Sequence, residues 1–419
     1  MRRFLISILC QFSLLTVVAA DPTATNYPAA DCQGSLKPYP VPEKSFVYPD
    51  SLTPVYISHV GRHGSRYPAG PAHSVALQKA LQRADSAKTI TPLGRKLLVL
   101  TDYVISASHN RWGALDSLGM AEQRGIASRM FMNFPEPFRS GSVYALSSYS
   151  PRCMMSMFSF AHQLDRLNNS IEVITSTGRQ NSKLMRPFDV SDDYKEFRSV
   201  NGWKVVYDDY MAQVVPVTAI ERVLGEGYPY GDIDPKELAL MEYYVLAGMS
   251  AMGVEINALD YFTSAEYNAL WSTFNLRQYL QRVASTISSV PADIASDLVL
   301  DIVARTDGFI SGSNPATVDL RFGHAETLMP LLSLLRLPGC YYLTNYFDTV
   351  AMNWRDFDVV PMAANLQMIL FKSTKGGYYV MFSLNEHPVT LIPNDARTVI
   401  PWGEARDYMT RCVPIYYQP

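Results

Sequence analysis

Charge is scarce in this 419-residue chain, at 18% of residues, and lysine plus arginine (36) fall short of aspartate plus glutamate (39). A nucleic-acid binder carries a basic excess, so that class is excluded, and any anionic ligand must be met by a local cluster of cations. Cysteine is rare, with five residues, and no two are spaced as a CxxC metal pair. Beyond residue 20 no apolar run is long enough to cross a bilayer, so no membrane span is expected in the mature chain. Low-complexity tracts, collagen or coiled-coil periods and internal repeats are missing too. The chain is instead apolar and aromatic, 48% hydrophobic, with 26 tyrosines, 18 phenylalanines and 18 methionines. That composition buries enough surface to offset the entropy of ordering, which excludes disorder as the main state. At about 150 residues per domain, the length fits two to three domains or one large core with an insertion.

The one targeting pattern is N-terminal: Arg2 and Arg3, the apolar run Phe4 to Val18, then Ala19-Ala20 before Asp21. It reads as a secretory signal peptide over residues 1–20, with Val18 and Ala20 at the two positions that a signal peptidase inspects. The run is short for an anchor helix, and Cys10 lies inside it, not at its end, which argues against a lipoprotein site. Cleavage removes two arginines and no acid, making the mature chain more negative than the −3 of the whole. It leaves Cys32, Cys153, Cys340 and Cys412, an even number in an exported chain. Disulfides are therefore permitted, and three pairings stay open.

The stretch from Tyr27 to Pro54, with six prolines, reads as extended surface chain. Strands are expected at Val55–Val60, Val143–Ser147, Ile171–Ile174 and Val318–Phe322, and a hairpin at Leu366–Lys372 and Tyr378–Leu384. Helices are expected from Thr91-Pro92 to about Ser106, from Asp116 or Ser117 to Phe131, over Met154–Leu167 and over Thr327–Leu335. Strands alternating with helices imply an α/β fold, a central mixed β-sheet flanked by helices. Between about 187 and 305 the pattern turns helical, with Pro235–Met249, Ser264–Gln281 and Ala292–Val303. The expected organisation is an α/β core over 21–186 and 306–419 with a mostly helical cap inserted at 187–305.

The densest chemical signal is Arg62-His63-Gly64-Ser65-Arg66, directly after the first strand. Loops at the C-terminal ends of sheet strands are where open α/β folds bind ligands. Two arginines flanking a histidine can grip a phosphate by charge-assisted hydrogen bonds while the imidazole faces its phosphorus. A lone His-Gly in a loop would be structural; the full string at a strand end is not.

This string resembles the signature of the histidine phosphatase superfamily, acid phosphatase and phytase branch, in which the histidine becomes transiently phosphorylated. The resemblance asks for a second arginine site after a later strand, matched by Ser148-Tyr149-Ser150-Pro151-Arg152-Cys153, and for a later histidine followed by an acid, matched by His324-Ala325-Glu326. The Ala325 spacer departs from the His-Asp of many phytases and is similar to the multiple inositol polyphosphate phosphatases. The pattern runs from about residue 54 to about 390. The C-terminus carries no endoplasmic reticulum retention signal, which favours an exported bacterial protein, periplasmic or extracellular.

The resemblance implies a phosphomonoesterase acting on inositol hexakisphosphate and lower inositol polyphosphates. Arg62, Arg66, Arg152 and His324 would bind phosphate, neutral His63 would attack it, and Glu326, its pKa raised by phosphate charge, would protonate the leaving alkoxide. No metal or other cofactor is required, and the partner is a small anionic substrate.

Three rival readings compete. His59, His63 and His73 could suggest a metal, but that spacing needs a helix and Gly61 opposes one. A non-catalytic polyanion-binding surface protein would need the arginines but neither His63 nor Glu326. A general acid phosphatase or sugar phosphatase would share the mechanism with a different pocket. Arg179, Lys183 and Arg186 could reach distal phosphates, but a solvated basic face is the simpler expectation. Oligomeric state and the ring position attacked first stay open.

Overall fold

The computed structural model describes residues 25–43, 46–139, 141–200 and 202–418; the expected signal peptide lies outside them. Eight strands form one mixed sheet: β1 (Leu52–Arg62), β2 (Ser142–Ser147), β3 (Glu172–Thr177), β4 (Ala316–Gly323), β5 (Asn365–Ser373), β6 (Tyr378–Leu384), β7 (His387–Val389) and β8 (Val399–Pro401). Their order is β3-β2-β4-β1-β5-β6-β7, with β8 paired to β6. The four strands β3, β2, β4 and β1 run parallel, and β5 to β8 are antiparallel additions. Parallel strands are covered on both faces, which is why β1 and β4 read as nearly continuous buried runs and not as alternating ones.

One face of the sheet packs Ile57, Val318, Leu320 and Phe322 against Ile126 and Met130 of α3 (Ser117–Asn133) and Met157 and Phe160 of α4 (Pro151–Leu167). The opposite face packs Tyr56 and Val60 against Leu328 and the helix Ser296–Ser311. A polar network is sunk into that second face: Arg305 and Tyr56 both reach Asp319, and Arg321 bridges Asp301 and Ser58. Buried charges of this kind persist only when paired and hydrogen-bonded.

A third apolar cluster lies away from the sheet. It joins α1 (Ala72–Ser86) and α2 (Pro92–Ser108) to the helices Thr218–Leu224, Pro235–Ala247 and Ser264–Arg282. The helical layer therefore draws on residues 72–108 as well as on the stretch after 187.

The caps follow sequence chemistry. Thr91 accepts from the Gly94 N–H at the start of α2, Asp116 from Leu118 at the start of α3, and Thr263 with Glu266 forms a capping box. The expected helix Ala292–Val303 is broken into Val290–Asp293 and Ser296–Ser311. The proline-rich stretch is only partly surface chain. Asp31–Leu36 forms a 3-10 helix with Cys32, Ser35 and Leu36 buried, because its apolar side chains complete the helical-layer core. Cys32, Cys153, Cys340 and Cys412 are all free, so none of the permitted disulfides is present.

Candidate active site

Register brings the motifs together. Arg62 of β1 lies beside Gly323 of β4, and Ser147 of β2 beside Phe322, so the residues that follow each strand emerge from the same sheet edge. His63 and Ser148 lock this edge through backbone N–H bonds to Gly323 O at 3.0 Å and Phe322 O at 3.0 Å.

Arg62 is 3% exposed, and its Nη1 donates at 2.6 Å to both Ser35 O and Val360 O. Burial, then neighbouring Arg66, draws its pKa down to about 9. His63 is equally buried, and its Nδ1 lies 2.9 Å from Gly64 O. A carbonyl only accepts, so Nδ1 carries the proton and Nε2 keeps its lone pair. Burial, reinforced by Arg152, Arg62, Arg66 and His324, holds the ring's pKa well below the usual histidine value, which favours the neutral imidazole.

Gly64 is required by close approach: a Cβ there would stand 2.4 Å from Gly119 O of α3. Ser65 then donates twice, by N–H and Oγ, to Glu122 at 2.7 Å. Arg66 is half-buried and donates to Tyr67 O at 2.8 Å.

His324 caps the helix Ala325–Leu334 and is 1% exposed. Arg152 Nη2 lies 3.2 Å from its Nδ1, while Arg186 Nη1 at 2.8 Å and Ser148 Oγ at 3.0 Å meet its Nε2. Burial and Arg152 pull its pKa down to about 3. A neutral imidazole accepts at one nitrogen only, so one guanidinium here has a donor to spare. The Cys153 thiol packs under the same ring, 3.0 Å from Gly323 O and 3.5 Å from His324 Nε2.

Glu326, in the first turn of that helix, accepts from Arg282 Nη2 at 3.0 Å. Burial would raise its pKa, but Arg282, His324, its own backbone N–H and Arg62 outweigh that and hold it well below the carboxylate range. These groups favour the ionised carboxyl; the expected rise in its pKa belongs to the site with a phosphate alongside.

All six sequence-predicted residues, Arg62, His63, Arg66, Arg152, His324 and Glu326, thus meet at one sheet edge. The basic stretch divides. Lys183 pairs outward with Asp297 and is 72% exposed, and exposed Arg179 stacks on Tyr149. Arg186 corrects the solvated-face expectation: it is 16% exposed and turned onto His324, because Thr327 of the helix start holds Met185 O at 2.6 Å.

Sequence reasoning missed Arg282, which ends a long helix with no local motif, and Ser35, whose carbonyl fixes Arg62. The histidines of the metal reading are separated. His59 points to the α3–α4 face between Phe160 and Phe322, and His73 lies in the helical layer against Tyr244, lining a cavity of about 360 Å³. Among the described residues no group of three or more His, Cys, Asp or Glu is placed to hold a metal ion.

Comparison with known proteins identifies the family and the fold. Residues 56–385 match the family model described as histidine phosphatase superfamily (branch 2). The chain is 27% identical over 389 residues to multiple inositol polyphosphate phosphatase 1 of Gallus gallus, covering 86% of this chain and 82% of that protein. The corresponding Homo sapiens protein is 26% identical over 374 residues, covering 81% and 76%. In fold, the chain is similar to the Bifidobacterium longum multiple inositol polyphosphate phosphatase solved with inositol hexasulfate, at a TM-score of 0.76, 16% identity and coverage of 92% and 99%. The D. castellii phytase follows at 0.69, 18% identity and coverage of 92% and 86%.

Proposed function

Since the chain belongs to branch 2 of the histidine phosphatase superfamily, we propose that it is an exported enzyme that removes phosphates from inositol hexakisphosphate and lower inositol polyphosphates through a phosphohistidine. The observation that carries this reading is His63 itself, neutral, with Nδ1 anchored to Gly64 O and Nε2 unpartnered among the described residues, beside the guanidiniums of Arg152, Arg62 and Arg66.

Phosphate monoesters hydrolyse very slowly in water, so the site must neutralise their charge and supply a better nucleophile. Arg62, Arg66, Arg152 and His324 bind the scissile phosphate, and Arg186, on the His324 ring, supplies a fourth guanidinium. His63 Nε2 attacks phosphorus in line, the N–P bond forms as the ester P–O bond breaks, and Glu326 gives the departing alkoxide its proton. Glu326 then takes a proton from the water that hydrolyses the phosphohistidine.

The substrate class is supported by the His324-Ala325-Glu326 spacing and by the names of the relatives. Successive helical residues project about 100° apart, so a glutamate two places after His324 approaches the leaving oxygen from another side than an aspartate one place after it. Its extra reach favours attack at several ring positions. Phosphate release from inositol hexakisphosphate beside a sugar phosphate tests this. Strong release from the first with several pentakisphosphate isomers is expected; activity confined to the sugar phosphate would reject the substrate class, and a single isomer would reject loose positional choice.

A further inference from the structure

Helix Ser264–Arg282 runs through the helical layer and ends at the site, and its final residue meets Glu326. The two side chains are 17% and 34% exposed. The guanidinium is otherwise loosely held: Nη1 reaches Gln281 Oε1 at 3.3 Å, and Nε is buried without a partner among the described residues. The other ionisable groups facing Glu326 are Arg62 at the end of β1, Arg152 and Cys153 on α4, and His324 at the start of its own helix. All are positive or neutral, so the surroundings favour the carboxylate over the acid.

This conflicts with the chemistry, since an ionised carboxylate cannot protonate an alkoxide. A phosphate dianion, however, is a strong acceptor for a guanidinium, able to take two parallel N–H bonds. We propose that Arg282 is a positioning residue that keeps Glu326 ionised until the phosphate of an incoming ester draws the guanidinium away, so that the acid takes its proton from solvent as the substrate binds. The proton acquired then leaves on the alcohol, and the carboxylate that remains is the base required for the second half-reaction. The inference rests on the reading of Glu326 as proton donor and goes beyond it by coupling protonation to binding.

Proton uptake tests it. Inositol hexasulfate stays fully ionised, so any proton taken up on binding comes to the protein, and calorimetry in two buffers of different ionisation heat counts it. At a pH of about 3.5, below the ordinary glutamate value of about 4.3, the chain should take up more proton than its Glu326→Gln variant. That excess should shrink in Arg282→Gln, whose carboxyl has lost its paired guanidinium before the ligand arrives, and return in Arg282→Lys, which restores the charge. An excess unchanged in Arg282→Gln, or no excess in the unaltered chain, overturns the inference while leaving the proton-donor role to leaving-group kinetics. If the hexasulfate does not bind, the inositol reading fails, and the same titration with inorganic sulfate decides the role of Arg282.

Discussion

The two sides of the site are built differently. On the nucleophile side, Arg62 and His63 are nearly inaccessible and tied to main-chain carbonyls: Ser35 O, Val360 O and Gly64 O. On the acid side, Glu326 and Arg186 are partly open and tied to other side chains, Arg282 and Asp189. Backbone carbonyls cannot be exchanged for a ligand without unfolding the loop that bears them, whereas side-chain ion pairs can be traded for a phosphate. In the proposed roles, a fixed nucleophile would face an adjustable proton donor, which would suit the proposed inositol substrate, whose ring presents similar phosphates in several orientations.

The comparison can be broken most severely at His63. His63→Ala should lower turnover by about three orders of magnitude or more while leaving the thermal midpoint nearly unchanged. Steady-state kinetics and a melting curve on the same preparation check both halves.

Glu326→Gln comes next. Inositol phosphates, whose alkoxides need a proton, should slow by about 10²- to 10⁴-fold, and aryl phosphates far less. Equal losses on the two substrates would show that the carboxylate has another task.

The arginines sharpen the contrast. Arg62→Ala should destabilise the fold by about 1–3 kcal/mol, since Ser35 O and Val360 O lose their donor, besides abolishing phosphate binding. Arg186→Ala should cost less denaturant stability than Arg62→Ala and raise KM, because its contacts are with the His324 ring, a partly exposed aspartate and the rings of Tyr149 and Phe188, and no main-chain carbonyl depends on it.

The smallest expected effect lies in the helical layer. Glu242 is fully buried, both its carboxylate oxygens lack hydrogen-bond partners among the described residues, and burial raises its pKa well above the ordinary value. With a raised folded pKa, the carboxyl favours the folded state below about pH 4, and that contribution is lost as pH rises. Glu242→Gln should therefore melt higher than the unaltered chain at pH 8, with the gap closing towards pH 4. A gap independent of pH would mean that the carboxyl does not titrate in the fold.

How much of this was legible in the sequence follows the same division. The nucleophile side was readable because its residues are contiguous and sit at a strand end: β1 shows as an apolar run, and Arg62 to Arg66 follow it without interruption. Helix starts were readable where caps are local, as at Thr91 and Asp116. The acid side was only half readable. Glu326 is placed by its distance from His324, but Arg282 reaches it from a helix 44 residues away, and no local pattern marks that meeting. Arg186 failed for the same reason, its direction being set by the contact between Thr327 and Met185 O. The proline-rich stretch misled because its prolines describe chain stiffness, while the burial of Cys32, Ser35 and Leu36 depends on which helices lie beside them.

The central claim is that His63 is the nucleophile, and rapid quench of a single turnover tests it most directly. Mixed with phosphate-labelled inositol hexakisphosphate and quenched with base, which spares a phosphoramidate, the chain should yield labelled protein whose phosphate is lost in acid and maps to the peptide containing His63. Turnover without any labelled protein, or label on another residue, would contradict it.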